Sequence, residues 1–180
     1  MQYSSQFKYT LATPLAPDMP VQMPAPKQQT YTDPNLYSHE LSSIFDRDWI
    51  MVGRAGAIPN PGDYFTAFLG QRPIILIRQR DSSIRAFANY CLLRYVQLLD
   101  GSGTTNCIVC PYHCWAYDLD GALINVTDKT GFRPEDIKEK TLETLAIEEY
   151  LGYLFVSMRP DLPPVAKRLK SLTHIFQNFE

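Results

Sequence analysis

The sequence predicts an all-β, antiparallel domain with one short leading helix, and three observations carry that reading. Between residues 49 and 156, short runs of aliphatic, aromatic and Thr residues alternate with turn residues, which is the rhythm of strands. Asp120-Gly121 lies between two such runs, and Asp-Gly between β-rich flanks marks a hairpin. Leu41, Ile44, Phe45 and Trp49 follow helical spacing instead, behind Thr32-Asp33-Pro34, where Asp33 can cap and Pro34 suits a first turn.

Taken in order, residues 1–30 carry Pro14, Pro17, Pro20, Pro24 and Pro26 and read as an extended arm. After the helix, the turn Asn60-Pro61-Gly62-Asp63 leads into a strand over Tyr64–Leu69. Pro73–Arg80 and Ile84–Asn89 form a hairpin around Asp81-Ser82-Ser83. Ile108-Val109 is a short apolar strand, and Trp115–Leu119 pairs with Ala122–Val126 through Asp120-Gly121. Leu145–Glu149 and Tyr153–Ser157 pair around Gly152. Leu162–Glu180 opens on two prolines and reads as the start of another element.

Composition narrows the function. A chain of 180 residues with 45% apolar content is one domain that can bury its own core. A net charge of −2 and a pI near 5.9 leave no electrostatic footprint for nucleic acid or an anionic membrane. No run approaches the ~20 apolar residues of a membrane span. The first thirty residues lack the basic start and apolar run of a signal peptide, which makes the cytoplasm the expected location.

Of the four cysteines, Cys107, Cys110 and Cys114 fall within eight positions, and Cys91 stands apart. In a reducing compartment such a cluster points to metal or catalysis; the alternative is a set of small buried hydrophobes. Cys91 and Cys110 each lie just past a strand, where a loop can turn a thiolate outward, and His113 follows Cys110 by three positions. Two such loop tips can pinch one object between them, and Pro111 tightens the second.

Three stretches together resemble a known family: Ile58-Pro59-Asn60-Pro61-Gly62-Asp63-Tyr64, the strand end Ala86–Cys91, and Cys110-Pro111-Tyr112-His113-Cys114-Trp115-Ala116-Tyr117-Asp118-Leu119-Asp120-Gly121. They look like the Rieske domain of aromatic-ring-hydroxylating oxygenase α subunits. The resemblance covers about residues 31–160 and implies a Rieske-type antiparallel β-sandwich with an inserted cluster-binding subdomain. It makes 1–30 an arm and 161–180 a linker into a C-terminal catalytic domain that holds the mononuclear iron. On that reading this chain hydroxylates nothing alone. The resemblance also implies a [2Fe–2S] cluster, in which two Cys hold one iron and two His the other, and a ferredoxin or reductase as electron donor. It leaves oligomeric state and substrate open.

Carried over position by position, Cys91 and Cys110 would ligate one iron and His113 the second. The family pattern on the first loop is Cys-x-His-Arg-Gly, whereas this chain has Cys91-Leu92-Leu93-Arg94-Tyr95. Leu93, which has no donor atom, stands where the fourth ligand belongs, and Tyr95 where glycine would. Three arrangements follow: a Rieske fold without a cluster, acting as a non-redox interaction module; a cluster with three protein ligands, completed by water or Cys114; or a zinc site drawn from Cys91, Cys107, Cys110, Cys114 and His113. Trp115 and Tyr112 resemble residues that shield the cluster and would otherwise be core aromatics. Asp118 and Asp120 read as turn residues, and His39 and His174 as solvated.

Overall fold

The computed structural model describes residues 27–173; most of the proline-rich arm, His174 and the end of the expected linker lie outside them. Helix α1 spans Pro34–Glu40, and the Asp33 side chain accepts the Asn35 N–H at 2.9 Å. A π-helical turn over Leu41–Phe45 continues it. Leu41 and Phe45 close on Gly70 at the tip of a hairpin, where an added Cβ would stand 3.1 Å from Leu41 Cδ2. Trp49 does not extend that stripe. Its own N–H bonds the Asp48 carboxylate, and its indole donates to the Pro163 carbonyl at 2.9 Å, tying the domain's entrance to its exit.

Ten antiparallel strands follow: β1 (Ile50–Arg54), β2 (Asp63–Leu69), β3 (Arg72–Arg78), β4 (Ile84–Ala88), β5 (Ser102–Thr104), β6 (Ile108–Val109), β7 (Ala116–Tyr117), β8 (Leu123–Asn125), β9 (Thr144–Tyr150) and β10 (Tyr153–Ser157). They form a seven-stranded sheet in the order β1-β10-β9-β4-β3-β2-β5 and a three-stranded sheet in the order β6-β7-β8. The large sheet curls until β1 meets β2. Gly53 permits this, because a Cβ there would lie 2.6 Å from the Phe65 ring. The smaller sheet is the inserted subdomain, with the short helix α2 (Pro134–Ile137) after it and α3 (Val165–Arg168) near the exit.

The three expected hairpins are present, and the fold is the mostly-β, antiparallel sandwich that the sequence predicts. Elements that the sequence does not announce include 3-10 turns at Gln28–Tyr31 and Ala55–Ala57, and β1, β5 and α2. β1 directly follows the helical stripe, β5 is a fully exposed Ser-Gly-Thr edge, and α2 is a single turn.

Strand β3 explains the placement of the site. Its run Ile74-Ile75-Leu76-Ile77 is buried on both faces. Because side chains alternate, Ile74 and Leu76 enter a core with Ile58, Leu69, Leu154 and Val156. Ile75 and Ile77 enter a second core with Phe87, Ile108, Trp115 and Tyr117. That second core cements the small subdomain onto the sheet, and both candidate loops close over it. Two polar clamps assist: Arg80 grips Asp118 with two hydrogen bonds of 3.0 and 2.8 Å, and the buried Gln79 amide donates to the Leu119 carbonyl at 2.8 Å. Asp118 is thus an ion-pair partner as well as a turn residue.

Candidate metal centre

The two loops share one backbone design. In the first, the Cys91 N–H donates to the Val96 carbonyl at 2.8 Å, and the Tyr95 N–H returns to the Cys91 carbonyl at 2.9 Å. In the second, the Cys110 N–H donates to the Trp115 carbonyl at 2.8 Å, and the Cys114 N–H returns to the Cys110 carbonyl at 3.1 Å. The fifth residue of each loop is left-handed, Tyr95 at φ +55° and Cys114 at φ +56°. A non-glycine residue held there costs about 1–2 kcal/mol, so the surrounding bonds over-determine both turns. Tyr95 keeps the backbone conformation suited to glycine and sends its ring outward, 77% exposed, edge-on to Tyr90.

Neighbouring groups fix the loops to the core. The fully buried Asn89 accepts the Leu98 and Leu99 N–H groups on its Oδ1 and donates its Nδ2 to the Leu99 carbonyl at 2.8 Å, closing the first loop's return. Thr127 Oγ1 donates to the His113 carbonyl at 2.7 Å, pinning the second. Arg94 sits 5.9 Å above the Tyr112 ring and links the two tips.

Cys91 and Cys110 face inward. Each is 1% exposed, both are free thiols, and they lie close enough to interact. Strand-end positions alone predict that they turn outward; the apolar core beneath the loops draws them in instead. The fully buried Tyr117 hydroxyl lies 3.3 Å from Cys91 Sγ and accepts the Leu92 N–H at 3.0 Å. Burial pushes the Cys91 thiol above its ordinary pKa, Tyr117 opposes that rise, and Cys110 adds to it. Burial likewise pushes the Tyr117 phenol up, so it stays protonated at working pH. The sequence alone does not single out Tyr117. The available signal was its place two residues beyond Trp115 in a strand, which sends both rings into one core while the phenol seeks a polar partner.

Among the described residues His113 is not gathered with the two thiols, whereas Leu93 neighbours Cys91. The half-buried His113 ring lies 3.9 Å from the Tyr112 ring, centroid to centroid. Leu93 is half-buried and packs against the same core as the cysteines. Both line a cavity of about 450 Å³ with Arg94, Trp115, Asp128 and Phe132. Tyr112 is 56% exposed and so is not a core aromatic, whereas Trp115 is buried edge-on to Phe132. Cys107 and Cys110 flank β6, and Cys114 is exposed. Among the described residues, no three His, Cys, Asp or Glu side chains gather closely enough to hold one ion. The structure therefore joins Cys91 with Cys110 but gathers neither His113 nor a zinc set around them.

For a two-iron centre, the paired thiols would hold one iron, and among the residues beside them His113 would be the nitrogen donor for the other. Cys91 and Cys110 are paired thiols in a dry, braced position that suits one iron. His113 and Leu93 line one neighbouring cavity, and of the two only His113 carries a nitrogen that could ligate a second iron.

Comparison with known proteins agrees with this geometry. Residues 48–144 match the family model described as the Rieske [2Fe-2S] domain. The oxygenase subunit of carnitine monooxygenase from Escherichia coli (strain K12) is 38% identical over 143 residues, covering 79% of this chain and 38% of that protein. Benzene 1,2-dioxygenase subunit alpha from Pseudomonas putida is 39% identical over 129 residues, covering 71% and 29%. Among solved structures, the quaternary ammonium Rieske monooxygenase CntA in complex with L-carnitine superposes with a TM-score of 0.76 at 33% identity, covering 83% of this chain and 43% of that one. The chain thus spans well under half the length of the relatives it matches. No helix among the described residues is long and apolar enough to cross a membrane. With its paired cysteine loops, inserted small sheet and matched sequence, the chain belongs to the Rieske [2Fe-2S] domain family and is homologous to the Rieske domains of oxygenase α subunits.

Proposed function

We propose that this chain is the electron-relay domain of an oxygenase α-subunit homologue, with Cys91, Cys110 and His113 as the protein ligands of its iron–sulfur centre and position 93 contributing none. The observation that carries this reading is the pair of matched loops, which bring two buried thiols together beneath Tyr117. When bound, such a centre accepts and releases single electrons, and its imidazole ligation raises the potential. The chain's own residues prepare the place. The core under the loops excludes water, Tyr117 hydrogen-bonds the Cys91 sulfur, and the left-handed turns fix where each sulfur points.

A ferredoxin or reductase would supply the electrons, in the cytoplasm. Residues 161–180 would lead to the part that holds substrate. The substrates named for the relatives stay with the relatives.

The deciding experiment restores the family pattern. In the full chain, Leu93→His with Tyr95→Gly, reconstituted anaerobically with iron and sulfide, should bind about two irons and show a Rieske-type absorption and EPR spectrum. Adding Cys110→Ser should abolish it. A double variant that stays iron-free and colourless would leave the second reading, a non-redox Rieske-fold module, which Leu93 in place of a donor favours.

A further inference from the structure

The fold by itself brings Cys91 and Cys110 together. They stand on different loops, nineteen positions apart, yet both free thiols sit in one apolar core, 1% exposed and within reach of each other. Among the described residues no third Cys, His, Asp or Glu side chain gathers with them. Cys107 stands at the other end of β6, and Cys114 is turned out to solvent. Main-chain bonds hold the placement. Each cysteine donates its N–H across its own turn and accepts the N–H of the left-handed fifth residue, so the two loop bases are fixed while the sulfurs react. The surroundings also suit a bonded pair. A disulfide is neutral and has no proton to place, so an apolar core holds it without stranding a polar group. The Tyr117 hydroxyl still accepts the Leu92 N–H when Cys91 is bonded elsewhere.

We propose that in the metal-free chain Cys91 and Cys110 form a reversible dithiol–disulfide couple, a redox-sensing pair whose oxidised form withholds both sulfurs. This does not rest on the electron-relay reading, because it concerns the chain before any centre is present. The oxidant is a low-molecular-weight disulfide, of which oxidised glutathione is the simplest probe. One cysteine thiolate attacks it, forming a mixed disulfide and releasing one glutathione thiolate. The other cysteine then attacks the protein sulfur of that mixed disulfide, forming the Cys91–Cys110 bond and releasing the second glutathione. The pair gives up two electrons and two protons, and the oxidant that gains them leaves as two thiols. Because both sulfurs are buried, a loop must open to admit the oxidant, and that opening sets the rate. The equilibrium is set instead by how well the closed loops hold the sulfurs together. In a reducing compartment such a couple is transient and responsive rather than a permanent staple.

The test uses the full chain, reduced, treated with a chelator and equilibrated against mixtures of reduced and oxidised glutathione, in native buffer and in denaturing urea. Acid quenching, alkylation and mass spectrometry count the free thiols, and tandem mass spectrometry of linked peptides locates the bond. The native chain should form a disulfide between Cys91 and Cys110 that dithiothreitol reverses. Its equilibrium constant against glutathione should be at least about tenfold larger in native buffer than in urea, because the fold pre-positions sulfurs that an open chain must bring together. A Cys107→Ser, Cys114→Ser variant keeps Cys91 and Cys110 alone and should give the same constant with an unchanged circular dichroism spectrum. The wild-type bond assignment stands by itself if that variant does not fold.

Two results overturn the proposal. One is a native equilibrium constant no larger than that in urea, which would mean that the closed loops do not favour the bond. The other is a native chain whose bond falls on Cys107 or Cys114, or that stays a mixed disulfide with glutathione. Both outcomes leave the electron-relay reading standing, because that reading is decided separately by reconstituting the Leu93→His, Tyr95→Gly variant.

Discussion

Replacing Tyr117 by Phe removes one oxygen and nothing else, and the structure says what that oxygen does. The hydroxyl is buried, accepts the Leu92 N–H at 3.0 Å and contacts Cys91 Sγ at 3.3 Å. Without it, a backbone N–H at the shoulder of the first loop loses its partner. An unsatisfied amide of this kind costs about 1–3 kcal/mol, and the sulfur contact is the weaker of the two. A loss of about 2 kcal/mol follows, or a fall in Tm of about 6 °C for a domain of this size. The ring stays in the core, so no cavity opens. The effect should also appear in the chemistry of Cys91. Tyr117 lowers the thiol's pKa against the rise caused by burial, so Tyr117→Phe should shift the alkylation of Cys91 to higher pH. Urea denaturation, thermal melts and a pH series of thiol alkylation, all on the metal-free chain, measure these effects. A melting change within about 1 °C together with an unmoved alkylation profile would refute the account of Tyr117 as the brace of the first loop.

Three further outcomes can be measured on the same protein. Gly121 has φ +90°, and a Cβ there would lie 2.7 Å from Phe87 in the core, so Gly121→Ala should cost about 3 kcal/mol in urea denaturation; a loss below about 1 kcal/mol would show that the hairpin relaxes freely. Tyr95→Gly alone relieves about 1 kcal/mol of left-handed strain but frees the unfolded chain by a similar amount, so stability should change by less than about 0.5 kcal/mol. A large loss there would make the exposed ring structural. The Arg80 hydrogen bond holds the Asp118 carboxyl below the usual carboxylate range. A depressed folded pKa stabilises fully above the unfolded value of about 3.9 and fades as pH falls through the folded one. Asp118→Asn should therefore cost up to about 1 kcal/mol at neutral pH, since the pair is partly exposed, and should shrink that part of the acid-side decline.

The antiparallel plan was legible because it rests on local chemistry. Asp120-Gly121 needs a left-handed glycine, which the structure supplies at φ +90°, and the Ile-Ile-Leu-Ile run of β3 could be covered only by two cores. Cys91, Cys110 and His113 were legible as residue types at a spacing, but their orientation was not. Local sequence places a cysteine at a strand end; only the core beneath, assembled from β3, β4, β7 and the return of the first loop, decides that its sulfur points inward. Tyr117 shows the same limit, since its partners Cys91 and Leu92 lie some 25 residues away. Strand β5 was illegible for the opposite reason. Ser-Gly-Thr has no pattern of its own, and it becomes a strand by pairing along Asp63–Phe65 of β2.

The paired loops behave less like a chelate than like a socket. Their form is written in main-chain bonds between residues 91 and 96 and between 110 and 115, and none of those bonds asks anything of the side chain at position 93. Leucine can therefore stand there without unmaking the turn around it, and the backbone continues to present two sulfurs to whatever arrives. The shape of the loop and the identity of residue 93 are thus independent variables in this chain: substitution there changes which atoms the loop offers and leaves the turn that offers them.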